Sequence, residues 1–127
     1  PAASAVGAHE FVDEWVSAPW DAQQEDGRLV REGLAWLDEE STRRGGALFR
    51  DLDATTQGEL CGAIAHAPDA EPEHELGARF FDKVRMLTLM AFYTSPAGMA
   101  DLRYVGNVPL AEWKLPPIEE LRKAGLA

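Results

Sequence analysis

Residues 80–96 read FFDKVRMLTLMAFYTSP. This stretch is too apolar for a surface helix and too charged at its start for a membrane span. Extended upstream, it predicts a helix from residue 72 or 73 to residue 94. Leu76, Phe80, Val84, Leu87 and Phe92 fall near one face of it, while Phe81, Leu89 and Met90 fall elsewhere. A helix apolar over most of its circumference belongs at the centre of a fold or against another protein. The tail beyond it keeps adding large residues: Tyr104, Val108, Leu110, Trp113, Leu115 and Ile118. A 127-residue chain has little interior in which to hide them all.

Outward from that helix, strand signals are weak because period-two alternation is almost absent. Phe11 and Trp15, with Val12 and Val16, mark one apolar stripe over residues 8–16, closed by Pro19. Asp21 is a plausible N-cap for a second helix over residues 25–44, stopped by Gly45 and Gly46. Leu48, Phe49 and Leu52 plug the core from a connector. A third helix starts at residue 53 or 55 and runs to residue 66, with Leu60 and Ile64 inward. Its Gly58 and Gly62 weaken it and invite close packing of another helix. Residues 68–75, PDAEPEHE, form an acidic loop. Pro109, Pro116 and Pro117 keep residues 101–117 irregular, with a turn at Gly106-Asn107. A short helix over residues 118–124 ends at Gly125.

The expected fold is therefore all-α: a compact bundle of about four to five helices with an extended, aromatic- and Pro-rich C-terminal arm. The length fits a single domain over residues 1–127. Residues 1–7, PAASAVG, resemble what remains after a leader peptide is removed, and would be flexible. Residues 101–127 would be a docking arm. No run of about 18 apolar residues occurs, so no membrane span is expected.

The formal net charge of −10 argues against nucleic acid and against an anionic membrane surface. It serves solubility, or it faces a basic partner. Cys61 is the only cysteine, which excludes an internal disulfide and a cysteine-rich metal site. It reads as a buried small side chain; an intermolecular disulfide stays open. His9, His66 and His74 make no compact ligand spacing, and His74 reads as a solvated loop residue. Cys61 and His66 are five apart on one helix and diverge, the wrong geometry for a catalytic pair. No GxGxxG, P-loop or CxxCH is present. Asp38, Glu39 and Glu40 read as an exposed helix face. Arg79, Lys83 and Arg85 neutralise nearby acids such as Asp82, or Arg85 pairs with a buried acid or a partner's carboxylate. Tyr104 and Trp113 either cap the helices or lie in a groove on a second protein. No catalytic, cofactor-binding or metal-binding residue is expected.

FVDEWVSAPW, GLAWLDEESTRR, LFRDLDATTQGELCGAIA, FFDKVRMLTLMAFYTSPAGM and YVGNVPLAEWKLPP follow one another in this order. Together they resemble the gluconate 2-dehydrogenase subunit 3 family over residues 11–126, with FFxxVRxLTLxxFYTSP the most specific part. The resemblance implies a small, helical, non-catalytic subunit. Its partner would be a large FAD-containing dehydrogenase of the glucose–methanol–choline type, oxidising a sugar, glycoside, polyol or sugar acid. It further implies periplasmic export of both chains through a twin-arginine leader on the small one, and in some complexes a multihaem cytochrome c subunit. Phe81, Arg85, Phe92, Tyr93, Tyr104, Trp113 and Leu115 are the candidate partner-binding residues, aromatic anchors for pockets on the large subunit. Two other readings stay open: a transient assembly chaperone for that flavoprotein, linked to twin-arginine export, and an independent helical protein that binds a small molecule.

Overall fold

The computed structural model describes residues 1–66, 70–104, 106, 109, 111–112 and 114–126, and all regular structure among them is helical. The helices are α1 (Ala8–Ser17), α2 (Asp21–Gly45), α3 (Ala54–Ile64), α4 (Glu75–Thr94), α5 (Pro96–Asp101) and α6 (Ile118–Lys123). Short 3-10 turns lie at Ala3–Val6, Phe49–Asp51 and Pro72–His74. The all-α bundle expected from the sequence is what forms. The tail residues Val108, Leu110 and Trp113, the Asn107 turn and the start of the 68–75 loop lie outside the described residues.

Helix α2 begins at Asp21 rather than at residue 25. Asp21 is not the cap but the first helical residue, where a carboxylate suits the positive end of the helix dipole. Trp20 occupies the cap position, and Gln24 Nε2 ties the corner by donating to the Ala18 carbonyl at 2.6 Å. Of the two starts left open for α3, residues 53 and 55, the structure selects neither as the first helical residue: Asp53 is the cap, accepting from the Thr55 and Thr56 amides at 3.0 Å. The Thr56 hydroxyl also donates to Asp53, and these bonds hold the Asp53 carboxyl below the usual aspartate range.

The bundle is organised by α2 and α4, which run antiparallel and interlock through two glycines. A Cβ on Gly33 would lie 2.2 Å from Phe80 Cγ, and one on Gly77 would lie 2.2 Å from Trp36 Cζ3. Each glycine is thus the hole that receives the other helix's aromatic ring. Val30, Leu37, Leu60 and Phe80 form the buried core, with Val16, Trp36, Phe49 and Val84 packed around it. The expectation for Gly58 and Gly62 fails: no described atom comes within 4 Å of a Cβ at either position, because α3 turns that side to solvent.

Two polar clusters brace the bundle. In the first, Asp26 on α2 accepts from Trp15 Nε1 of α1 at 3.0 Å and pairs with Lys83 Nζ of α4 at 2.7 Å. Burial alone would raise the Asp26 pKa, but hydrogen bonds from Lys83 and Trp15 and the Lys83 charge outweigh it, so the net shift is downward. A carboxylate with a depressed folded-state pKa contributes stability above its unfolded value, near about 3.9, and loses it as pH falls through the folded value. The loss of stability between about pH 5 and about pH 2 is therefore expected to be smaller in Asp26→Asn than in the native chain. Denaturation midpoints across that range check this.

The second cluster corrects two sequence expectations. Glu40 is 2% exposed rather than part of a solvated acidic face, and His74 is buried rather than a loop residue in water. Glu40 pairs with Arg43 and with Arg44 Nε, the latter at 2.5 Å, and His74 Nε2 lies 3.7 Å from Glu40. Arg44 Nη2 is 3.1 Å from His74 Nε2, which as the acceptor leaves the ring proton on Nδ1. The His74 ring meets Trp36 edge-on. Asp38 is also occupied, since it accepts the Phe49 amide at 3.1 Å. A charge run read one residue at a time gives no sign that two of its members turn towards a connector and a neighbouring helix.

Candidate functional site

Helix α4 buries Gly77, Ala78, Phe80, Leu87 and Ala91. The remaining circumference carries two rows at helical spacing: Phe81, Arg85, Leu89 and Phe92, beside Met86, Met90 and Tyr93. Leu89 is 49% exposed, and Met86, Met90 and Tyr93 are also exposed. Single exposed apolar residues are ordinary; two adjacent rows on one helix are a candidate contact surface.

A groove of about 310 Å³ follows the first row, lined by Phe80, Phe81, Val84, Arg85, Thr88 and Leu89. At its rim the Arg85 guanidinium pairs with Asp82 at 2.5 Å and donates to the Ala65 carbonyl at 3.2 Å. Arg85 thus neutralises an exposed neighbour, the first of its two expected roles, and it bridges α4 to the end of α3. Lys83 goes to Asp26 instead.

A second groove of about 410 Å³ lies at the corner of α4 and α5, lined by Tyr93, Thr94, Met99, Leu102 and Tyr104. Pro96 reads as a breaker in sequence, yet here it opens α5 as its first residue, where the missing N–H costs nothing. Ser95 Oγ accepts the Gly98 amide at 3.1 Å and donates to the Phe92 carbonyl at 2.6 Å. A Cβ on Gly98 would sit 2.1 Å from that carbonyl, so only glycine lets α5 fold this tightly against α4. At the far end of α5, the Tyr104 amide bonds to the Met99 carbonyl and the Arg103 amide to the Ala100 carbonyl. This is a Schellman closure with Arg103 at φ 53° in the place glycine usually takes. It places Tyr104, 61% exposed, beside Tyr93.

The candidate residues therefore divide. Phe81 and Arg85 share the first groove; Tyr93 and Tyr104 share the second. Phe92 is half-buried with its ring edge-on to Tyr93 at 5.1 Å, which links the two. Leu115 is 75% exposed and lines neither groove. Trp113 lies outside the described residues. Met86, Leu89, Met90 and Leu102 belong to this face although they are not among the candidate partner-binding residues; the sequence expectation that apolar α4 is central or meets another protein already covered the first three. The signal was available in the i, i+4 rows of α4, but α5 had to be recognised before Leu102 could join them.

Among the described residues, no group of three or more His, Cys, Asp or Glu is arranged to hold a metal ion. No helix among them is long and apolar enough to cross a membrane. The half-buried Cys61 thiol has its pKa raised by burial, which disfavours the thiolate. The grooves offer hydrocarbon, hydroxyls and one guanidinium already engaged by Asp82. That lining suits apolar side chains and does not fit the pyrophosphate of a flavin dinucleotide.

A sequence model described as gluconate 2-dehydrogenase subunit 3 matches residues 1–111. The chain belongs to that family. Searches of curated proteins and of solved structures returned no match. The matched region spans α1 to α5 and both grooves, and ends before α6. The family is named for one subunit of an oxidoreductase complex. The name of the gluconate 2-dehydrogenase subunit 3 family implies a complex with at least one other subunit.

Proposed function

We propose that this chain is a non-catalytic small subunit that binds, stabilises and helps export a large FAD-dependent dehydrogenase of the glucose–methanol–choline type. The substrate would be a sugar, glycoside, polyol or sugar acid. The observation that carries this reading is the unpartnered apolar face of α4 and α5, on a chain whose family is a dehydrogenase subunit. The face would pack against the large chain, with Tyr93 and Tyr104 as aromatic anchors. Hydride transfer from the sugar carbon to flavin would be the partner's chemistry, and this chain would act on it only through the fold of the complex. Periplasmic localisation, a twin-arginine leader and a cytochrome c subunit belong to the same proposal.

The test is co-expression with the flavoprotein and purification through a tag on the small chain. A co-purifying band with a flavin spectrum and dye-linked sugar oxidation supports the reading; a colourless lone chain sinks it. Leu89→Asp places a charge in the contact and is expected to weaken the complex roughly tenfold to a hundredfold. Trp113→Ala tests the arm in the same assay, with weakening expected. Circular dichroism of both isolated variants should remain helical. Native affinity in Leu89→Asp would move the docking surface away from α4.

A further inference from the structure

The first 27 residues hold Glu10, Asp13, Glu14, Asp21, Glu25 and Asp26, and no lysine or arginine. Asp26 is occupied by Trp15 and Lys83. The other five are exposed, on α1 and on the first turns of α2. His9 is the only basic side chain among these residues, and it lies 4.0 Å from Glu10.

Between α1 and the start of α2 is an aromatic groove of about 240 Å³, lined by Phe11, Glu14, Trp15, Ala18, Trp20 and Gln23. The Phe11 and Trp15 rings lie side by side, tilted by 31° with centroids 6.0 Å apart. Trp20 is 69% exposed, held at the α1–α2 corner because it is the cap residue of α2. No residue of this groove lines either groove on α4 and α5. An indole left in water at the mouth of an aromatic groove, with a carboxylate in its lining, has the parts of a cation receptor. The ring face attracts a cation through its quadrupole, and the carboxylate pairs with it.

We propose that this groove binds an arginine-bearing segment of a partner protein. The guanidinium would stack on Trp20 and pair with Glu14. Arginine fits better than lysine, because a planar guanidinium can stack on an indole and present its fork to a carboxylate together. Glu10, Asp13 and Asp21 would supply the longer-range attraction, which salt screens, whereas Glu25 shares another groove with Arg28 and Arg79. This contact is independent of the α4–α5 face, so a complex formed through that face neither requires nor excludes it.

The experiment is an NMR titration of the full chain with a capped peptide of alternating arginine and glycine. Lysine–glycine and glutamate–glycine peptides serve as comparisons. Saturable movement of the Trp20 indole N–H signal by the arginine peptide is expected, weaker with lysine, absent with glutamate, and reduced by added salt. Trp20→Ala and Glu14→Gln should each weaken binding about tenfold. Glu119→Gln, which removes a charge from α6, should leave it unchanged. No saturable binding would overturn the proposal. So would equal binding by native chain and Trp20→Ala, which would reduce the effect to general attraction between opposite charges.

Discussion

Gly33→Val is expected to destabilise the chain by about 3 kcal/mol, the upper end of overpacking costs. For a chain of this length that corresponds to a fall in Tm of roughly 10–15 °C. The reason is the atom that the new side chain meets. A Cβ at position 33 falls 2.2 Å from Phe80 Cγ and 2.3 Å from Phe80 Cβ. Rotation about χ1 of Phe80 would move Cγ but leaves Cβ in place, so the clash with Cβ is relieved only by moving the helix. Gly77 is the reciprocal site, but there the clash is with the outer ring atoms of Trp36, which has more freedom to tilt. Gly77→Ala should therefore cost less than the Gly33 change. Gly58→Ala makes the opposite case. With open space around it, the substitution should stabilise α3 by about 0.5–1 kcal/mol through helix propensity alone. Urea denaturation of the three variants separates glycine kept for packing from glycine that merely weakens a helix. Equal responses at positions 33 and 58 would contradict the α2–α4 interlock.

Glu40→Ala should cost about 2–4 kcal/mol. Glu40 is 2% exposed and, among the described residues, is the carboxylate that pairs with Arg43 and Arg44 and lies beside His74. Removing Glu40 leaves the Arg43 and Arg44 guanidiniums without a counter-charge, an effect of about 3–5 kcal/mol where all members are enclosed. Here the penalty is moderated, because the Arg43 side chain is 66% exposed and can recover water. The damage should be local as well as global. Arg44 Nη2 contacts His74, and His74 leads directly into α4. Hydrogen exchange should accelerate in the last turn of α2 and the first turn of α4 before the core opens. Exchange that rises uniformly, or a loss of stability below about 1 kcal/mol, would mean that the cluster fastens nothing.

The aromatic face and the Glu40 cluster differ in how far they could be read in advance. The α4 face follows from periodicity: residues 81, 85, 89 and 92 must share a side of any helix they occupy. That side had to be inside or against a partner, and the fold covers Phe81 and Phe92 only in part and leaves Leu89 exposed. The Glu40 cluster has no such signature. Three consecutive acids at residues 38–40 point in three directions, and which of them turns inward depends on the Phe49 connector and on His74, 34 residues beyond Glu40. Helix α5 was left unread for a local reason, since Pro96 and Gly98 are residue types that favour helix only in special positions. Proline at the first position of a helix and glycine beneath a carbonyl are helix-compatible only in a geometry that Ser95 creates.

Sequence alone determined the helical class, the approximate positions of α1 to α4, the apolar excess of α4 and the family. These rest on local periodicity, capping chemistry and ordered motifs, all of which are written along the chain. Tertiary structure decided which glycines are holes, which carboxylates are buried and where the apolar excess of α4 emerges. Those outcomes depend on which helices meet and at what register. Side chains far apart in sequence settle that jointly, through packing that admits one ring beside one glycine and leaves another glycine facing water.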